Sequence, residues 1–219
     1  MKVSAVILDM DGTLTRFNLN SREVKKKLIK EMEQVNVRGA NMSENSTIVV
    51  LLKQMKEGLD SENYARFRGR LYDLLEQMEV KAAGEAILHP GVLDTLRTLE
   101  DRKLRMGLVT SNSRRGTDLT LEHLRLRGFF ESVVTRDDCP EMKPDPTPLS
   151  MAVKELDVRA DETIFVGDSI MDILAASNAG VRSVAVASGS ASVEQLIQQK
   201  PDYILASLTE LPNLIAKAG

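Results

Sequence analysis

The chain has 219 residues, of which 42% are hydrophobic and 28% charged, so it is long enough to bury a core and too apolar for an extended disordered chain. Its net charge of -3 provides no field that would attract nucleic acid or an acidic membrane surface, and we expect neither partner. The single cysteine, Cys139, excludes an internal disulfide, and no apolar stretch approaches the ~20 residues of a membrane span. A cytoplasmic location is therefore expected.

Short apolar runs alternate with amphipathic segments along most of the chain. Residues 3–8 read as a strand buried on both faces, which ends at Asp9. Further strands are predicted at 104–109, 132–134, 163–166, 184–186 and 203–205. Apolar residues spaced three and four apart predict helices at 91–102, 114–127, 147–156, 169–179, 191–199 and 207–217. This alternation predicts an α/β fold with a parallel sheet between helices, because crossovers between parallel strands usually take a helix.

One segment, residues 15–88, shows no convincing strand and three helical stretches instead. Its apolar stripes are Val24, Leu28, Met32 and Val35; Ile48, Leu51, Leu52 and Met55; and Tyr64, Phe67, Leu71, Leu74, Leu75 and Met78. The chain returns at His89-Pro90-Gly91, a break that suits a hinge. The sequence therefore predicts an α/β core of residues 1–14 and 89–219, with a small helical domain of residues 15–88 inserted after the first strand.

Acidic residues follow two of the predicted strands. Asp9 and Asp11 end the first strand, Asp168 ends the strand at 163–166, and Asp172 lies one helical turn further on. Open parallel sheets bind ligands at the carboxyl ends of their strands. Clustered carboxylates repel unless a cation neutralises them or one carries a proton, and Mg²⁺ prefers such oxygen ligands. The four acids therefore predict a magnesium site.

Phosphate-binding groups are predicted beside these acids. Lys143 lies in a proline-rich loop, Lys-Pro-Asp-Pro-Thr-Pro, and its ammonium can offset phosphate charge. Thr110, Ser111 and Asn112 follow the second predicted strand and offer hydroxyl and amide donors. Each feature has a structural alternative: Asp-x-Asp-Gly as a turn, Ser169 with Asp172 as a helix capping box, and Lys143 as a solvated lysine. Their common position after predicted strands favours one shared site.

These motifs resemble those of the haloacid dehalogenase-like hydrolase superfamily, and the match spans the whole chain. The matching residues are Asp9-Met10-Asp11-Gly12-Thr13, Thr110, Lys143, and Gly167-Asp168 with Asp172. The resemblance implies a Rossmann-like core with a mobile α-helical cap. It implies that Asp9 attacks phosphorus and that Asp11 first protonates the leaving group and then activates water. It also implies that Asp9, Asp168 and the main-chain carbonyl of Asp11 hold Mg²⁺, with Asp172 acting through water or behind the direct ligands.

The resemblance is strongest to phosphoglycolate phosphatases, through His89-Pro90-Gly91-Val92 and Pro201-Asp202-Tyr203 as well. It implies a magnesium-dependent phosphatase acting on a small phosphorylated metabolite. Asp11 disfavours dehalogenation, since dehalogenases of the superfamily lack this acid. Schiff-base chemistry at Lys53 or Lys56 is disfavoured because helical lysines are usually solvated. Among the basic residues, Arg114 and Arg115 are the better candidates for contacting substrate. A sugar phosphomutase remains an alternative, and so does a non-catalytic interaction protein, which the complete acid set disfavours.

Overall fold

A six-stranded parallel sheet forms the centre of the molecule. The computed structural model describes residues 2–16, 21–34, 43–189 and 191–218. Within them the strands lie in the order β3-β2-β1-β4-β5-β6. The strands are β1 (Ala5–Leu8), β2 (Arg105–Val109), β3 (Ser132–Val134), β4 (Thr163–Gly167), β5 (Arg182–Val186) and β6 (Tyr203–Leu205). All six predicted strands and the α/β fold class are confirmed.

Helices cover both faces of the sheet. They are α4 (Val92–Asp101), α5 (Arg114–His123), α6 (Thr147–Glu155), α7 (Ile170–Ala179), α8 (Val193–Gln198) and α9 (Leu211–Ala218). Val6 and Leu8 of β1 belong to the apolar cluster shared with α4, α5 and α9, whereas Ala5 and Ile7 belong to the cluster shared with α6 and α7. Successive strand residues face opposite sides, so a strand packed on both faces is a continuous apolar run. Among the described helices, none combines the length and the hydropathy that a membrane crossing requires.

Two predicted helices differ from the observed ones at their ends. The segment predicted as a helix to residue 127 leaves the α-helix at His123, because Arg125 adopts a left-handed φ of 57°. The amide of Leu126 then donates to the carbonyl of Leu121 at 2.8 Å, which closes the helix end. The helix predicted from 207 opens instead as a 3-10 turn, Leu208–Glu210, before α9.

Among the described residues between β1 and α4, the helices are α1 (Arg22–Gln34), α2 (Ile48–Gly58) and α3 (Ser61–Ala83). The predicted apolar stripes meet in one cluster, whose fully buried members include Leu28, Leu51 and Leu71. Val35, which the sequence placed on the first stripe, lies outside the described residues. Helix α3 also packs against α5 of the sheet layer. The boundaries of the inserted domain, residues 15–88, stay a prediction.

The chain enters and leaves this helical segment at one place. The amide of Arg16 donates to the carbonyl of Ile87 at 2.8 Å, and the amide of His89 donates to the carbonyl of Leu14 at 2.9 Å. Thr15 and Leu88 thus form an antiparallel bridge between the two connections. The connection at His89, where the sequence predicts a hinge, is therefore hydrogen-bonded to the connection that leaves β1.

The strand register brings three strand ends to one edge of the sheet. Leu8 of β1 lies level with Leu108 of β2 and with Val166 of β4. Asp9 directly follows β1, Thr110 directly follows β2, and Asp168 directly follows β4. The strand order reverses beside β1, and open α/β sheets have their binding crevice at such a reversal.

Candidate active site

Three buried carboxylates converge at the carboxyl ends of β1 and β4. Asp9, Asp168 and Asp172 each offer an oxygen, and these atoms all lie within 4.8 Å of one another. Asp9 and Asp168 directly follow their strands, and Asp172 lies in the first turn of α7. Buried carboxylates at this spacing repel in the ionised state, so the group requires positive charge nearby.

Lys143 supplies one such charge. Its Nζ lies 2.6 Å from Oδ1 of Asp9 and 2.6 Å from Oδ1 of Asp172, and it also donates to the carbonyl of Val109 at 3.4 Å. Burial alone would lower the pKa of the ammonium, but the carboxylates of Asp172 and Asp9 outweigh it and raise that pKa above its ordinary value. Lys143 is therefore a buried cation, and the solvated lysine considered from the sequence is not what the structure contains.

Asp172 has two structural partners. Its Oδ2 accepts from the amide and the hydroxyl of Ser169, at 3.0 and 2.6 Å, and the Ser169 hydroxyl accepts from the Asp172 amide at 3.3 Å. This is the capping box that the sequence offered as an alternative. The other oxygen, Oδ1, bonds Lys143. Asp172 therefore caps α7 and pairs with Lys143 at the same time, and its part in a magnesium site stays a prediction.

The carboxylate of Asp11 stands apart from that group of three. Its Oδ2 accepts from Nδ2 of Asn112 at 2.5 Å and its Oδ1 accepts from the hydroxyl of Thr15 at 2.9 Å. Burial raises the pKa of Asp11, although the hydrogen bonds from Thr15 and Asn112 oppose the shift. A carboxyl with a raised pKa is suited to carry a proton, so the position fits an acid better than a direct carboxylate ligand.

The acid group carries more negative charge than Lys143 neutralises. Burial raises the pKa of Asp9 well above its ordinary value, and the neighbouring charges of Asp172 and Asp168 add to the rise while Lys143 opposes it. When all three carboxylates are ionised, they and the one ammonium carry two negative charges together, which is the charge a divalent cation balances. Oxygen donors alone suit a hard ion such as Mg²⁺. The residues present fit the group that the resemblance implies.

Gly12 lets the chain turn close above these acids. It has a φ of +87°, and a Cβ added there would lie 2.6 Å from the carboxylate of Asp168. Only glycine adopts this conformation without cost and leaves that space open. The hydroxyl of Thr13, the next residue, lies 3.5 Å from Oδ1 of Asp168.

The loop after β2 also lines the site. The amide of Thr110 donates to the carbonyl of Val134 at 3.0 Å, and its hydroxyl accepts from the amide of Asn112 at 3.2 Å. A cavity of about 250 Å³ opens between this loop and the acids. All eight residues predicted for the site line it, namely Asp9, Asp11, Thr110, Ser111, Asn112, Lys143, Asp168 and Asp172.

Sequence reasoning missed other residues of this cavity. Glu79 of α3 and Arg136 of the loop after β3 line it, and so do five apolar residues, namely Ile48, Val49, Leu75, Met142 and Met171. Arg114, expected near substrate, instead donates to the carbonyl of Val133 at 2.7 Å and bonds Asp138. Lys53 and Lys56 form ion pairs with Glu57 and Glu141 and do not line the cavity.

Comparison with known proteins finds a matching family, similar sequences and similar folds. A profile of the family described as "Haloacid dehalogenase-like hydrolase" matches residues 6–186. A pyrophosphatase PpaX from Bacillus mycoides (strain KBAB4) is 28% identical over 219 residues, covering 99% of each chain. A hydrolase from Pseudomonas syringae has a TM-score of 0.74 at 24% identity, covering 98% of each chain. A structure titled a predicted phosphoglycolate phosphatase, from Haemophilus somnus 129PT, has a TM-score of 0.69 at 21% identity, again over 98% of each chain.

Proposed function

The chain belongs to the haloacid dehalogenase-like hydrolase family and is a phosphatase, and we propose that it hydrolyses a small phosphorylated metabolite through an aspartyl-phosphate at Asp9. The observation that carries the proposal is the shared cavity. A buried Asp9 with its paired Lys143, two further carboxylates and a separate, protonatable Asp11 all line it.

Two in-line transfers account for the hydrolysis. The Asp9 carboxylate attacks phosphorus, the bond from phosphorus to the leaving oxygen breaks, and Asp11 gives its proton to that oxygen. Asp11, now ionised, then takes a proton from a water molecule that attacks the aspartyl-phosphate, and inorganic phosphate leaves. The bond from Asn112 and the bond from Thr15 hold the Asp11 carboxyl in one orientation for both steps.

Cationic and dipolar groups bind the transferred phosphate in this proposal. Lys143 offsets the charge of the phosphate oxygens, and the hydroxyls of Thr110 and Ser111 with the amide of Asn112 donate to them. Asp9, Asp168 and the main-chain carbonyl of Asp11 would hold Mg²⁺, with Asp172 supporting from behind. When bound, Mg²⁺ supplies positive charge against the phosphate oxygens.

We expect the leaving group to contact the helical segment, since Ile48, Val49 and Leu75 of that segment line the cavity together with the acids. An apolar wall of this kind suits the carbon skeleton of a phosphate ester. Inorganic pyrophosphate is the second candidate substrate, because relatives that match along their whole length are named pyrophosphatases. A sugar phosphomutase would use the same acids, and analysis of the products distinguishes phosphate release from isomerisation.

Hydrolysis of a chromogenic aryl phosphate, with and without MgCl₂, tests the chemistry. Activity should require Mg²⁺, and Asp9→Asn and Asp11→Asn should each abolish it, whereas the exposed Asp94→Asn should leave it intact. Activity that persists in Asp9→Asn, or in chelator, rejects the mechanism. A panel of phosphoglycolate, sugar phosphates, nucleoside monophosphates and pyrophosphate, compared by kcat/KM, then identifies the substrate class.

A further inference from the structure

An ion pair between Glu79 and Arg136 joins the helical segment to the sheet layer at the edge of the cavity. Oε1 of Glu79 lies 2.7 Å from Nη1 of Arg136, and Oε2 lies 3.0 Å from Nη2, so the pair is bidentate. The two side chains are 4% and 2% exposed. The guanidinium also stacks over the ring of Tyr72, 4.8 Å from its centroid. Glu79 and Tyr72 lie on α3, whereas Arg136 follows β3.

The two paired side chains contact two residues of the loop after β2, Ser111 and Ser113, and the main chain of Arg136 contacts the residue between them. Glu79 Oε2 accepts from the amide of Ser113 at 2.9 Å. Arg136 donates from Nη1 to the carbonyl of Ser111 at 2.9 Å and from its own amide to the carbonyl of Asn112 at 3.0 Å. The two ends of the Ser111–Ser113 segment are thus held by the side chains of one buried ion pair.

Close packing leaves this arrangement little freedom to shift. A Cβ added to Gly116, in the first turn of α5, would lie 2.7 Å from Cβ of Glu79, so the glycine permits the approach of the two helices. Asn112, in the middle of the held segment, donates its side-chain amide to Asp11. A continuous set of contacts therefore runs from α3 through residues 111–113 to the Asp11 carboxyl.

We propose that Glu79 and Arg136 are positioning residues: their ion pair holds Ser111–Ser113 in the conformation that keeps Asp11 and the phosphate donors in place, and it couples that conformation to the placement of α3. The inference rests on the proposed function. Neither residue needs to touch substrate for this role. Loss of the pair moves the acid and the donors of the reaction, so it lowers kcat for substrates with different leaving groups alike.

The test separates positioning from stability. Glu79→Leu and Arg136→Met each leave one buried charge without its partner and destabilise the fold, whereas the double variant removes both charges and should recover thermal stability. We expect kcat on 4-nitrophenyl phosphate and on inorganic pyrophosphate to fall at least about tenfold in each single variant and to stay as low in the stable double variant. KM should change less than kcat.

A matched control is available in the same segment. Glu31 and Arg70 join α1 to α3 in a second bidentate pair, at 2.9 and 3.0 Å, which lines none of the cavity. The double variant Glu31→Leu/Arg70→Met should keep kcat close to the wild-type value. Arg136→Lys keeps the positive charge but lacks the guanidinium, whose two terminal nitrogens bond Glu79 and the carbonyl of Ser111 together. This variant should fold and should have a reduced kcat.

Two results would overturn the inference. One is a double variant in which kcat returns together with thermal stability, and the other is a folded Arg136→Lys protein with wild-type kcat. A wild-type protein without phosphatase activity would instead reject the proposed function, so the two failures are distinguishable.

Discussion

Asp172 binds Lys143 with one carboxylate oxygen and caps its own helix with the other. The start of α7 is therefore fixed relative to the loop that carries Lys143, because a movement of either element breaks a bond to the same side chain. The Lys143 ammonium also bonds Asp9, so Asp172 and Asp9 share one cation.

Asp172→Asn should separate the two tasks of this side chain. The amide still accepts from Ser169, but it removes a negative charge from Lys143, so we expect activity to fall by about 10²-fold or more with a much smaller effect on folding. Steady-state hydrolysis and thermal unfolding measure the two effects. Ser192→Ala is the control, since it breaks the capping box of α8 and should cost about 1 kcal/mol without loss of activity. Full activity in Asp172→Asn would contradict the expectation.

Lys143→Met should damage both folding and catalysis. Removing the ammonium leaves Asp9 and Asp172 buried without their shared partner, and breaking a buried pair of this kind costs about 3–5 kcal/mol. Chemical denaturation measures the loss, and the exposed Lys154→Met should be neutral. A Lys143→Met protein as stable as the wild type would show that the ion pairs contribute little.

Gly12→Ala should impair the site through its backbone. The turn requires a left-handed φ that alanine adopts only at a cost, and the added methyl group would meet the Asp168 carboxylate, so we expect a destabilisation of about 1–3 kcal/mol and a strong loss of activity. Gly128→Ala is the matched control, because no atom lies within 4 Å of its added Cβ. If both variants behave alike, the turn at Gly12 does not constrain the acids as described.

Magnesium should stabilise the folded protein. A ligand that binds only the native state adds about 2.7 kcal/mol at 100 times its Kd, so MgCl₂ should raise the Tm above that measured in KCl of equal ionic strength. Asp168→Asn should lose most of this shift, whereas the exposed Asp94→Asn should retain it. A shift of equal size in both variants would place the cation elsewhere.

The strands and their terminal residues could be predicted because each depends on local sequence. The run from Ala5 to Leu8 is apolar throughout, as a strand buried on both faces must be, and Asp9 marks its end. The parallel sheet then brings Asp9, Thr110 and Asp168 to one edge without further information. The eight predicted residues line one cavity for this reason.

Contacts between distant segments could not be predicted in the same way. Glu79 and Arg136 are 57 positions apart, and each resembles an ordinary charged residue of a helix or loop in the sequence. The end of α5 was missed because the left-handed Arg125 is a non-glycine residue with no sequence signal for that conformation. The roles assigned to the site residues stay predictions.

The paired connections at Thr15 and Leu88 have a consequence for protein engineering. Because the excursion through α1–α3 departs and returns at a single crossing, the hydrogen bonds of that crossing do not depend on how many residues the excursion contains. A contiguous block of the gene could be exchanged for one of another length while the acids keep their register. Such a graft would have to rebuild the contacts of the helical segment with the sheet layer, including the packing of α3 on α5 and the Glu79–Arg136 pair.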